Sequence, residues 1–338
     1  MALIIPFFIA HQGCPHRCLF CDQHVVTGHT SADRAPVSIE AQVRATVARW
    51  RDRARPTGMV QLAFYGGSFT CLDESVRHRL LAAATAQRDA GRIDSIRIST
   101  RPDCLDPVML AYLGEHGVDT VEIGIQSFND DVLRTARRGH LANDAITAVR
   151  AVRAAGLRVG VQLLIGLPGE STGSFLAGIS QTIAERPDCV RLYPLLVLKQ
   201  TILANWYVSG VYHPLSLARA VCLTKLARRR LLEAGIKVIR MGLQPTDSLA
   251  GQVMAGPYHP AFGELVISAD WYGRARRLLA TSQPGEHISF TVTGKDYSAF
   301  VGQRRVNMQR LCRRFPDRTI TVHRDPSLHR NELHYAVH

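Results

Sequence analysis

Seven short apolar runs, each followed by a turn and then by a stretch of helical period, are the strongest constraint on how this chain folds. They are LIIPFFI (3–9), VQLAFY (60–65), SIRIST (95–100), TVEIGI (120–125), RVGVQLLI (158–165), VRLYPL (190–195) and KVIRMG (237–242). Between them, Ile39, Val43, Val47 and Trp50 recur at helical spacing, residues 141–155 stop at Gly156, and residues 215–234 stop at Gly235. Both glycines are suited to a helix C-terminus. Strands that alternate with helices call for right-handed crossovers and a parallel sheet. The near-continuous apolar runs predict a sheet covered on both faces. An open doubly wound sheet and an incomplete barrel both satisfy this pattern. In either, chemistry sits at the C-terminal strand ends, which here lead into GGSF, TRPD, QSFND and GLPGES.

A second unit is expected beyond this alternation. ISFTVTG (288–294) and TITVH (319–323) read as strands, with a basic helix over 299–314 between them. The expected division is a core over 1–245, a loop and helix closing it over 246–281, and a small basic βαβ appendage over 282–338. The chain carries a formal net charge of +13, and from Trp271 onward there are 12 Lys/Arg against 5 Asp/Glu. That excess favours an anionic partner, with nucleic acid first. Arginine on solvated faces accounts for the same charge without a partner. No apolar run is long enough for a bilayer. The opening MALIIPFFIA lacks a basic leading segment and a cleavage site, so a cytoplasmic protein with a buried first strand is expected.

Three of the eight cysteines, Cys14, Cys18 and Cys21, fall within GCPHRCLFCDQ. Cys71, Cys104, Cys189, Cys222 and Cys312 are scattered singly, which does not read as a disulfide framework and fits a reducing compartment. Clustered thiolates in such a compartment are soft metal ligands. Zinc needs a fourth ligand, which His16, His24 or Cys71 would have to provide. An iron–sulfur cluster held by three cysteines instead keeps one iron open to another ligand.

With an aromatic residue, Phe20, before its last cysteine, the C-x3-C-x2-C loop resembles the signature of the radical S-adenosylmethionine (SAM) superfamily. The resemblance implies a partial (βα)6 TIM-like barrel. It also implies a 4Fe–4S cluster on Cys14, Cys18 and Cys21, and SAM bound at the open iron and cleaved to a 5′-deoxyadenosyl radical. A reductant such as flavodoxin or ferredoxin is implied as partner. By position, it points to Gly66, Gly67 and Ser68 of YGGSF, to Ser99 and Arg101 of STRPD, to Gln126 of VEIGIQS, and to Gln162 and Leu164 of GVQLLIGLPGES as SAM contacts. Glu122 is expected to be a supporting carboxylate. Over roughly residues 1–240 the strings TRPD, VEIGIQSFNDDVLRTARRGH, GLPGES and RLYPLLVLKQTILANWYVSGVYHP resemble the radical SAM half of the Elongator catalytic subunit, which modifies tRNA. Two departures limit the carry-over. The first two cysteines are closer together here, and about 100 residues beyond the core are too few for that subunit's acetyltransferase domain.

The segment MAGPYHPAFGEL (254–265) has no counterpart in that resemblance; its Tyr258 and His259 are candidate catalytic groups, or else members of a packed connector. The leading expectation is a radical SAM enzyme that modifies tRNA or another RNA. A small-molecule or peptide substrate, as in anaerobic coproporphyrinogen oxidase, and a metal-bearing binding module without turnover are the alternatives.

Overall fold

The computed structural model describes residues 3–9, 14–21, 38–53 and 58–338. All seven expected runs form strands of a single sheet: β1 (Leu3–Ile9), β2 (Val60–Gly66), β3 (Ser95–Thr100), β4 (Val118–Gln126), β5 (Arg158–Ile165), β6 (Cys189–Pro194) and, after a two-residue β7 (Val197–Leu198), β8 (Lys237–Met241). Their order is β1-β2-β3-β4-β5-β6-β8, every neighbouring pair is parallel, and the sheet curls into a half-barrel. Helices cross over between successive strands: α1 (Ile39–Arg53), α2 (Glu74–Asp89), α3 (Pro107–Glu115), α4 (Asp130–Thr135), α5 (Ala142–Ala154), α6 (Thr172–Glu185), α7 (Ile202–Val208) and α8 (Leu217–Glu233).

The two faces of the sheet differ, contrary to the expectation of apolar cover on both. Leu62, Phe64, Ile96, Ile98, Val121, Ile123, Val159, Val161, Val190 and Leu192 alternate onto the helix-covered convex face and form the main core. The residues between them, Gln61, Tyr65, Arg97, Ser99, Glu122, Gln162 and Arg191, point to the concave side and hydrogen-bond across strands. Period-two alternation of this kind marks a sheet with one polar face.

At the end of β2, Gly66 takes φ +113°, and a Cβ there would stand 2.3 Å from the carbonyl oxygen of Ile9. Its glycine character lets β1 and β2 finish side by side, a reason distinct from the close approach to SAM expected at GGSF.

After α9 (Asp247–Gln252) and β9 (Val253–Ala255), the helix α10 (Phe262–Leu279) joins two parts of the chain. Phe262 and Val266 pack with Ala220 of α8, while Trp271, Ala275 and Leu279 pack under a three-stranded sheet. That sheet holds β10 (His287–Val292) at its centre, β11 (Thr319–Arg324) parallel to it and β12 (His334–Val337) antiparallel, so the expected βαβ gains a further strand. The basic helix expected over 299–314 is broken into α11 (Gly294–Val301) and α12 (Val306–Arg314). Gly302, Arg304 and Arg305 hold positive φ between them, a conformation that ends an α-helix.

Among the described residues no helix is long and apolar enough to cross a membrane.

Candidate cluster and cofactor site

The segment 14–21 lies at the C-terminal mouth of the half-barrel. It is held from two sides: Leu19 donates its N–H to Ala136 O at 3.2 Å, and its carbonyl accepts from Leu203 N at 2.9 Å. The Leu19 side chain is fully buried among Val132, Ala136, Leu164, Leu167 and Leu203. Leu164, expected as a SAM contact, therefore serves as the floor beneath the loop. Cys14 is exposed, Cys18 buried and Cys21 half-buried.

Cys18 meets two guanidinium groups. Arg138 Nη1 donates to its Sγ at 3.0 Å, and Arg101 Nη1 lies at 3.9 Å. Positive charge beside its sulfur suits Cys18 to the role of a metal ligand. Arg101 is only 3% exposed; it grips Asp103 bidentately at 2.9 and 3.0 Å and donates to the Arg138 carbonyl. Gly139 lies under the His16 ring, where a Cβ would stand 2.3 Å from an imidazole carbon. Neighbouring His140 is buried, and burial with the charges of Arg138 and Arg101 lowers its pKa to about 4, so it is neutral at pH 7.

The donor set fits a cluster better than a single ion. Three cysteines on one short loop can take one iron apiece and leave the fourth iron open, whereas zinc would need a fourth protein ligand. Cys71, weighed as a zinc ligand, is bonded to Cys104, with Cα atoms 6.0 Å apart. This corrects the reading of both as single cysteines. The bond ties the turn after β2 to the turn after β3. His24 lies outside the described residues.

The other expected contacts are distributed along the same rim. Ser68 is buried; its hydroxyl pairs with Thr100 Oγ1 at 2.9 Å and accepts from Arg101 N at 3.3 Å, so it joins two turns. Gly67 is half-buried beside it. Gln126 ends β4 at φ +71°, where the register with β5 slips by a residue. Such a left-handed non-glycine residue costs about 1 kcal/mol or more and is characteristic of functional sites. Ser99 and Gln162 lie deeper, hydrogen-bonded to each other at 3.2 Å.

Tyr258 packs beside Leu249, and His259 Nδ1 accepts from Ala261 N at 3.1 Å just ahead of α10. Tyr258 also packs against Leu196 and Leu198, just beyond the C-terminal end of β6.

Arg138 stands inside the RRGH string, but no local pattern marks it as a partner of the cysteine loop. The sequence reading passed over Arg97 and Arg191, whose signal was a charged residue at an interior strand position.

Glu170 follows the fifth-strand turn. It accepts from Ser127 Oγ at 3.2 Å and Gly166 N at 3.1 Å, and burial raises its pKa to about 7. The folded state thus binds a proton more strongly than the unfolded chain. Stability from this group is complete below about pH 4.5 and declines until about pH 7. His140, with its depressed pKa, acts in the opposite sense between about pH 4 and 6.5. Glu170→Gln isolates the first effect. Its stability relative to wild type is expected to rise by on the order of 3 kcal/mol between pH 5 and pH 8 in urea titrations. A pH-independent difference would contradict a protonated Glu170.

A parallel half-barrel with a three-cysteine loop at its C-terminal mouth is the architecture of one enzyme class. The chain matches the radical SAM superfamily over residues 8–177 and the radical SAM C-terminal domain over residues 187–270, and it belongs to that superfamily of enzymes. Among curated relatives it is similar to the tRNA uridine(34) acetyltransferase of Dehalococcoides mccartyi, with 28% identity over 60% of this chain and 50% of the relative. It is similar also to the protein of that name from Methanocaldococcus jannaschii, with 25% identity over 78% and 54%. The chain spans about half the length of these relatives. Among solved structures, an N-terminally truncated archaeal Elp3 from Methanocaldococcus infernus shares the fold, with TM-score 0.63 and 20% identity over 82% of this chain and 63% of that one. Coproporphyrinogen III oxidase from Escherichia coli follows at TM-score 0.51 and 19% identity over 69% and 53%.

Proposed function

We propose that this protein cleaves SAM reductively and uses the resulting radical to modify RNA, with tRNA as the first candidate. The cysteine loop carries the reading: Cys18, buried at the barrel mouth under Arg138, with Cys14 and Cys21 on the same short segment. These three residues would hold a 4Fe–4S cluster. When bound, it supplies the electron that splits SAM into methionine and a 5′-deoxyadenosyl radical.

The protein's own residues bind, orient and exclude water. Leu19 and Leu164 exclude water beneath the loop. Arg138 and Arg101 offset the negative charge of the thiolates. Gly67, Ser99, Gln126 and Gln162 offer backbone and amide or hydroxyl groups to the cofactor along the rim. A flavodoxin or ferredoxin is the class of donor such a site requires.

Support for tRNA comes from the relatives' names and from charge. On and before α12, Arg304, Arg305, Arg310, Arg313 and Arg314 are exposed. Arg310 lies over the Tyr272 ring at 4.0 Å, which stiffens that part of the surface. Exposed arginines of this kind track phosphates without reading sequence. Acetyl transfer, which the relatives' names carry, is not part of the proposal.

Mass spectrometry of total tRNA nucleosides, with and without the gene, tests the substrate. Loss of one modified nucleoside is expected; an unchanged nucleoside profile would contradict an RNA substrate.

A further inference from the structure

The concave face of the half-barrel holds more positive than negative charge. Glu122, 1% exposed, is clamped by two arginines, Arg97 of the neighbouring β3 and Arg191 of β6, two strands away. Arg97 Nη1 lies 2.5 Å from Oε1; Arg191 Nε lies 2.7 Å from Oε2, with its Nη2 2.9 Å from Oε1. Burial alone would raise the Glu122 pKa, but Arg191 and Arg97 bring it below the ordinary carboxylate range, so the group is ionised. The remaining titratable neighbours are neutral at pH 7: burial raises the pKa values of Tyr65, Tyr193 and Cys189. Asp119 lies one layer nearer the N-terminal strand ends. Gln61 stands between it and Arg97, accepting from Arg97 Nε at 2.6 Å and donating to Asp119 Oδ1 at 2.8 Å. Arg240 sits opposite Arg191 on β8 and adds a further cation at the edge of the face.

Two guanidinium groups thus share one carboxylate in a partly desolvated layer. Among the described residues Arg97 Nη2 has no hydrogen-bond partner. Tyr65, Arg97, Ser99, Gln162 and Tyr193 each keep part of their surface open to solvent. From Arg97 to Arg101, at the mouth, is four residues along the chain, about 13 Å of strand.

We propose that this layer is an anion-binding site, in which Arg97, with Arg191 held behind it on Glu122, Tyr65 and Tyr193, takes an oxyanion of the substrate, a carboxylate or a phosphate ester. The assignment of that anion to the substrate rests on the radical SAM reading above; the binding itself does not. An anion completes the charge balance that Glu122 leaves short by one, and Arg97 Nη2 offers it a charged donor.

Thermal unfolding of the intact chain, without SAM or reductant, tests the site. Sodium acetate, inorganic phosphate and chloride are compared at constant ionic strength. Wild type is expected to show a saturable rise in Tm with acetate or phosphate that chloride does not give. Acetate alone assigns a carboxylate, phosphate alone a phosphate ester, and both a site for either. Arg97→Met leaves Glu122 and Arg191 as a balanced pair and should weaken the anion's apparent affinity at least tenfold. No anion-specific rise, or an equal rise in Arg97→Met, overturns the site, since the exposed arginines of α12 would then be the binders. Should Arg97→Met fail to fold, Arg97→Lys carries the test: tenfold weakening supports the site and an unchanged affinity overturns it. A chain that binds acetate but leaves SAM intact keeps this site and loses only the radical reading.

Discussion

Changing Cys14, Cys18 or Cys21 to alanine, one at a time, is expected to abolish 5′-deoxyadenosine formation from SAM under strong reductant. The fold should survive each change. The loop is fixed by the backbone hydrogen bonds of Leu19 and by its buried side chain, and neither depends on a thiol. Trimming one sulfur should cost about 1 kcal/mol at Cys14 or Cys21 and about 1–3 kcal/mol at buried Cys18. Cys18→Ala is the most informative of the three, because it also leaves Arg138 Nη1 without its acceptor. Measurement is by chromatography of the reaction mixture alongside a thermal melt of each variant. A variant that still yields 5′-deoxyadenosine at the wild-type rate removes its cysteine from the cluster.

The second large effect falls on stability. Glu122→Ala leaves buried Arg191 and half-buried Arg97 unopposed, and removing one partner of a buried ionic group costs about 3–5 kcal/mol. A urea titration should show the midpoint fall accordingly. Adding Arg97→Met to Glu122→Ala should recover part of that loss, because one of the two stranded charges goes with it. A double variant whose loss equals the sum of the single losses would show that the arginines do not share the carboxylate.

Much of the architecture was legible from local pattern. The seven strands, the glycine-terminated helices and the turn motifs at the strand ends all follow from period and punctuation, and the resemblance of the cysteine loop to the radical SAM motif implied its place after the first strand. The concave face was misjudged for a physical reason that is also in the sequence. In SIRIST, TVEIGI and VRLYPL a charged residue stands between apolar neighbours, and a side chain two positions from its in-plane neighbours shares their face. Reading the runs as continuous hid that alternation. The Cys71–Cys104 bond was not legible, because the two residues are 33 apart in sequence and meet only when two turns converge. Arg138 was hidden likewise: its role depends on a loop more than a hundred residues earlier. The final strand, His334–Val337, has exposed, mixed residues and takes its structure from pairing with β10 rather than from its own pattern. Tyr258 and His259 were chosen for their polar aromatic character in a glycine- and proline-rich loop. Their surroundings are local packing and a contact at the start of a helix.

Iron, sulfide and SAM cleavage in the anaerobically reconstituted wild-type chain test the central claim most directly. The account predicts four irons and four sulfides per chain, with methionine and 5′-deoxyadenosine released in equal amounts once dithionite is added. A chain that takes up the full complement of iron and sulfide yet leaves SAM whole would contradict it.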